Sequence, residues 1–263
     1  MGSATTQALA ATRTALDATP GVDLDTAGEL FAVARLVGES AQLSGALADP
    51  AASVEARRGV VAEVFGSRLS DASVALVGTA AEQRWSRVQD FVDGIETLAV
   101  RATAVAAGGD DIEGELFELT RVVAANPELE LALGSRLGDP SAKGKLVATI
   151  LAGRASAATT LIVSSLVRQP GDRRVRQLLG QAIRIVSDQR GKSVATVTAS
   201  TPLSDAQTRR LAELLGNRYG RDVSLNTVID PTLVGGLRVQ LGDDVIDGSI
   251  SGRLADLRQR LAG

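Results

Sequence analysis

The chain repeats part of itself. Gly28-Glu29-Leu30-Phe31 returns as Gly114-Glu115-Leu116-Phe117, an offset of 86 residues (115 − 29). A period of that length is one supersecondary assembly used twice, and missing it would misassign the whole architecture. Both copies continue with apolar residues at helical spacing: Leu30, Val33 and Leu36 in one, Leu116, Leu119 and Val122 or Val123 in the other. Leu47-Ala48-Asp49-Pro50 is echoed by Leu137-Gly138-Asp139-Pro140 at an offset of 90 (139 − 49), which predicts about one inserted helical turn between the copies. Each Asp-Pro reads as a helix break, because the residue before proline avoids helical torsions. An aliphatic helix follows in each copy, with Val60, Val61 and Val64 set against Leu146, Val147 and Ile150. Longer amphipathic helices come next: Val88, Phe91, Val92, Ile95, Leu98 and Ala102 in one, Val175, Leu178, Leu179, Ala182 and Val186 in the other. A first helix from about Thr5 to Asp17 precedes copy one, and in copy two only residues 88–106 are placed to take its position. Gly108-Gly109-Asp110-Asp111 supplies the break between the two helical bundles.

From about Lys192 the period shortens from the helical repeat to the alternation of a strand. Ser193 to Ala199 is β-branched, Val223 to Ile229 alternates, and Leu237, Val239 and Leu241 alternate with Arg238 and Gln240. Between the first two lies a helix opened by Ser204 and Gln207 at capping-box spacing, with Asp205 placed to complement its dipole. Gly242-Asp243-Asp244 reads as a hairpin turn into Val245 and Ile246. A last helix presents Ile250, Leu254, Leu257 and Leu261 on one face. The expected fold is mainly α: two tandem helical bundles, residues 1–106 and 107–192, followed by a small α/β domain at 193–263.

Composition removes most chemistries. The chain has no histidine and no cysteine, which excludes disulfides, thiolate nucleophiles, ordinary zinc sites and every Ser/His or Cys/His arrangement. Aromatics are 2% of residues, so its cores are built from small aliphatics, suited to close helix packing rather than a large ligand pocket. A net charge of −3, without interleaved basic and aromatic residues, argues against nucleic acid as a partner. The run from Gly138 to Leu146 fails as a phosphate loop: five residues separate Gly138 from Gly144, and Leu146 stands where a magnesium-binding hydroxyl is needed. Asp110-Asp111 and Asp243-Asp244 lie in turn contexts without further oxygen ligands at a metal-binding spacing. The basic cluster Arg168, Arg173, Arg174 and Arg176 reads first as a solvated helix start, and Trp85 as core. No active site, cofactor or metal is expected. No block of about 18 apolar residues occurs, so no membrane span is expected either, and in the absence of a leader the chain is expected to remain in the cytoplasm.

At residues 228–254 the pattern becomes specific. Ile229-Asp230-Pro231-Thr232-Leu233-Val234-Gly235-Gly236-Leu237-Arg238-Val239 is followed by Gly242-Asp243-Asp244-Val245-Ile246-Asp247-Gly248-Ser249-Ile250-Ser251-Gly252-Arg253-Leu254. This run closely resembles the C-terminal signature of the ATP synthase delta subunit family, whose mitochondrial relative is the oligomycin sensitivity-conferring protein. Thr198-Ala199-Ser200-Thr201-Pro202-Leu203-Ser204 resembles the family's strand-to-helix junction, and Ala125-Asn126-Pro127-Glu128-Leu129 its second-helix ending. The resemblance runs from about Ile112 to Leu261. The first hundred residues depart from the ordinary bacterial pattern and look like a second copy of the helical domain, as in lengthened actinobacterial forms.

The resemblance implies a non-catalytic stator subunit of a proton-translocating ATP synthase, peripheral on the cytoplasmic face of the cell membrane. It implies that the bundle receives the N-terminal helix of an alpha subunit between its first and fifth helices. Leu9 and Leu16 are then candidate head-binding residues in copy one. It also implies that the C-terminal domain holds the distal end of the b subunit. Asp230, Pro231, Gly235, Gly236, Asp247, Gly248, Ser249, Gly252 and Arg253 are the signature positions, either structural or at the stalk interface. Gly235 and Gly236, within the strand, would allow a bulge or a close backbone approach, and Asp247 or Ser249 would cap the last helix. A helical adaptor or regulatory binding protein unrelated to ATP synthase is the alternative.

Overall fold

The computed structural model describes residues 2–135, 138–220, 222–241 and 244–248. Two compact units follow one another, the first ending at Val186 and the second starting at Ser187. The chain is mainly α, with a small sheet confined to the second unit.

Helices succeed one another through the first part of the chain: α1 (Ser3–Ala18), α2 (Leu24–Glu39), α3 (Ala41–Ala48), α4 (Val54–Phe65), α5 (Asp71–Glu82) and α6 (Val88–Ala106). They continue as α7 (Ile112–Ala125), α8 (Pro127–Gly134), α9 (Pro140–Leu151), α10 (Ala157–Arg168) and α11 (Val175–Gln189). Most starts are fixed by a side chain that accepts a hydrogen bond from a free backbone N–H in the first turn. Asp23, Ser40, Ser53 and Ser70 do this in copy one, and Asp111, Asp139 and Ser156 in copy two. Such a cap contributes about 1 kcal/mol.

The offset of 86 holds across α3 and α8, α4 and α9, and α5 and α10, at both ends of each helix. No turn is inserted, and the echo between the two Asp-Pro pairs is therefore not a structural equivalence. Asp49 follows the end of α3 and accepts from Ala51 N at 2.8 Å, whereas Asp139 starts α9 and accepts from Ser141 N at 2.9 Å. Aspartate uses the same short-range hydrogen bond at a helix exit in one copy and a helix entry in the other.

The repeated glutamates perform the same task in each copy. Glu29 on α2 accepts from the N–H and hydroxyl of Ser70 at 3.0 and 2.7 Å. Glu115 on α7 accepts from Ser156 in the same way, at 3.0 and 2.7 Å. Burial pushes both carboxyls up, but hydroxyl bonds from Ser73 and Ser70, or Thr159 and Ser156, together with the serine N–H, outweigh it and hold both below the usual range.

Aliphatics fill the interior: Leu16, Leu30, Leu47, Leu76, Ile95 and Leu98 are fully buried, as are Leu116, Leu133 and Ile162 further on. Trp85 is a core residue. Its ring meets Phe91 edge-on with centroids 5.8 Å apart, and its indole N–H reaches Ala80 O at 2.9 Å. Arg57 is buried and donates to the carbonyls of Gln83 and Glu82 at the end of α5, where a cation complements the negative helix terminus. Its counterpart at the same offset, Lys143, is also buried and donates to Ser135 O at the end of α8.

The second unit contains β1 (Ser193–Ala199), α12 (Asp205–Tyr219), β2 (Val223–Ile229), β3 (Leu237–Leu241) and β4 (Asp244–Asp247). The four-stranded sheet has the order β2-β1-β3-β4. β1 and β2 are parallel, joined through α12 as parallel neighbours require, and the other pairings are antiparallel. Ala195, Val197, Val223, Val239 and Leu241 pack against Leu215 of α12. The capping box forms, with Ser204 and Gln207 bonding each other's backbone.

Candidate partner-binding surfaces

In the first unit, α1 is held in place at its N-terminal end. Thr5 donates its hydroxyl to Asp90 at 2.6 Å and accepts from Ser86 N at 3.1 Å. The Thr5 bond lowers the Asp90 carboxyl; burial opposes it, and Arg87, at 2.7 Å, lowers it further. α1 packs on both α5 and α6. Leu16 is fully buried and anchors α1 to the core, while Leu9 is half-buried. Thr6, Ala10 and Thr14 on α1, and Ala75 on α5, face solvent. Ala75 also borders a cleft of about 430 Å³ between α4 and α5, whose lining includes Gly59, Ala62 and Gly78 together with Arg58 and Asp71.

The arginine cluster is only in part the solvated helix start that its sequence suggests: Arg174 and Arg176 are exposed, whereas Arg173 is half-buried. Arg173 forms a forked pair with Glu96 of α6, at 2.6 and 2.9 Å, and Arg176 reaches Glu130 of α8 at 2.9 Å. Burial lowers the Arg173 guanidinium, but Glu96, and Asp93 beyond it, hold it above its ordinary value. The first pair ties copy two to α6, and the second joins α11 to α8 within copy two. Asp111 is likewise a cap, accepting from Gly114 N at 3.1 Å.

In the second unit, Asp230-Pro231-Thr232 forms a tight turn at the end of β2. Asp230 accepts from the hydroxyl of Thr232 at 2.7 Å and its N–H at 2.9 Å, and these two bonds lower its carboxyl. Asp230 N continues the sheet by donating to Ala199 O at 2.9 Å. Gly235 and Gly236 do not lie within a strand: they form the approach to β3, with φ of 63° and 81°. Both need glycine because an L side chain there would meet the backbone. Asp247 ends β4 opposite Arg238, and Gly248 N donates to Leu237 O at 2.8 Å. Thus Asp230, Pro231, Gly235, Gly236, Asp247 and Gly248 are brought to the ends of β2, β3 and β4. Ser249, Gly252 and Arg253, the expected last helix, and Gly242 and Asp243 of the hairpin turn lie outside the described residues. Leu214, Val234 and Val245 remain exposed on this unit.

Among the described residues no group of His, Cys, Asp or Glu is arranged to hold a metal ion. No described helix is long and apolar enough to cross a membrane. The exposed face of α1 and α5 and the rim at the ends of β2, β3 and β4 are surfaces of a kind that suits macromolecular contacts.

Residues 97–261 match the family described as ATP synthase delta (OSCP) subunit. Among curated relatives, the chain is 48% identical to ATP synthase subunit delta of Leifsonia xyli subsp. xyli, over 100% of both chains. It is 41% identical to ATP synthase subunit delta of Streptomyces avermitilis over 98% of each chain, and 39% identical to that of Streptomyces griseus over 100% of each. These matches set aside an adaptor unrelated to ATP synthase. The chain belongs to the ATP synthase delta (OSCP) subunit family.

Proposed function

We propose that this chain is the non-catalytic joint of a rotary ATP synthase, holding the catalytic head to the peripheral stalk on the cytoplasmic face of the membrane. The observation that carries the reading is the family match through both helical copies and the C-terminal unit, on a chain without histidine or cysteine. Within it, bundle 1–106 receives the N-terminal helix of an alpha subunit against α1 and α5. Leu16 fixes α1 from the core side and Leu9 sits nearer the docking face. Bundle 107–192 extends the joint, and residues 193–263 grip the distal end of b through the rim that Asp230, Pro231, Gly235, Gly236, Asp247 and Gly248 shape. Neither contact needs a reactive group. Each must hold under torque through many turnovers, and nanomolar affinity, about −12 kcal/mol per contact, is the scale of a durable joint.

The test is assembly in solution from purified head, the soluble part of b and this chain, followed by sedimentation. Head and b should travel together when the chain is present and separately when it is omitted. Head and b that stay apart despite the chain would contradict the proposal.

A further inference from the structure

The duplicated bundle raises the question of whether one chain docks one partner helix or two. We infer that only copy one has a usable dock, because the equivalent groove of copy two is already filled by α2 of the same chain; the inference rests on the docking role proposed above.

The groove in question lies between the first and fifth helices of a copy. In copy one these are α1 and α5. In copy two they are α6 and α10, since α6 packs on α10 as α1 packs on α5, and α6 therefore serves as the last helix of one copy and the first of the next. α2 packs along α6 and also touches α10. It follows α10 lengthwise. A Cβ added at Gly28, near the start of α2, would lie 3.9 Å from Leu161 in the second turn of α10. A Cβ added at Gly38, in its last turn, would lie 2.3 Å from Nε2 of Gln169, which ends α10, and 3.2 Å from Val92 of α6. A helix with glycines toward α10 near both of its ends thus lies along the copy-two groove.

Stepping back by 86 residues gives the corresponding positions of copy one. Leu161 becomes Ala75, Val92 becomes Thr6 and Gln169 becomes Gln83. Val92 is buried and Leu161 half-buried, whereas Thr6 and Ala75 are exposed and Gln83 is half-buried. Where copy two carries a helix, copy one presents an open face. The chain itself shows what fits such a groove: an amphipathic helix with small residues where it faces the fifth helix, as α2 has at Gly28 and Gly38. Copy two is a bundle whose dock has been spent on joining it to copy one.

The probe is the N-terminal helix of the alpha subunit, as a labelled peptide titrated into the full chain. One peptide should bind per chain, and Ala75→Arg or Thr6→Arg should each weaken it roughly 100-fold, because an unpaired charge would be buried under the incoming helix. Both positions are exposed, so the variants should keep the wild-type circular dichroism. Two peptides per chain, or one whose affinity neither variant alters, would overturn the assignment to copy one. A wild-type chain that binds no peptide would instead refute the docking role itself, and the inference would fall with it.

Discussion

Replacing Glu115 with alanine should lower the unfolding free energy by about 2 kcal/mol, and the same change at Glu29 by about 1 kcal/mol. Each carboxylate ties the second helix of its copy to the capping serine of the fifth, through hydroxyl bonds of a length usual for charged acceptors. The copy-two bonds are partly buried and those of copy one are exposed, so water competes less at Glu115 and its loss costs more. The sites share no partner, and the double variant should lose the sum, about 3 kcal/mol. The pH dependence has a definite sign. Both carboxyls sit below the ordinary glutamate value of 4.5 in the folded chain, so their contribution is fully present above that value and fades as pH falls through the depressed folded values. Urea unfolding of wild type and double variant should therefore differ by a constant amount from pH 6 to 8 and converge as the pH drops below about 4.5. Equal losses at the two sites, or a gap that widens in acid, would show that the clasps are not the source.

Removal of residues 193–263 should abolish capture of the b subunit while head binding survives. The cut follows α11 and removes every strand of the described sheet, along with the turn at Asp230 and the glycine pair before β3. The first unit keeps its own core, including the α1 and α5 faces assigned to the head. Immobilised b should retain the full chain and fail to retain the truncated one, a loss beyond the range of the titration. Immobilised head should retain both within a few-fold. Loss of head binding with b binding preserved would reverse the assigned roles.

How much of this was legible in the sequence differed by element, for physical reasons. β1, β2 and β3 begin and end where alternation places them, because a strand with one face on a core must alternate. The capping box at Ser204 and Gln207 was visible because both of its hydrogen bonds are local. The repeat was visible in Gly-Glu-Leu-Phe, since the glutamate that returns is the one that closes a clasp. The Asp-Pro echo misled because aspartate followed by proline suits either end of a helix, and the dipeptide alone does not say which. Gly235-Gly236 reads as part of a strand because Leu237, Val239 and Leu241 alternate directly after it, yet left-handed torsions put both glycines in the approach to β3. Arg173 looked solvated because its partner, Glu96, is far away in sequence and comes near only when the copies pack. The open face at Ala75 carried no signal of its own. An exposed alanine is unremarkable until the offset of 86 sets it against Leu161, which touches α2.

The bridge between head and stalk is tested most directly by proton pumping. Membrane vesicles stripped of head and of this chain are supplied with head alone, or with head and chain, and ATP-driven acidification is followed. The account predicts a gradient only when both are returned, while ATP hydrolysis by the head proceeds in either case. Equal acidification with and without the chain would contradict it.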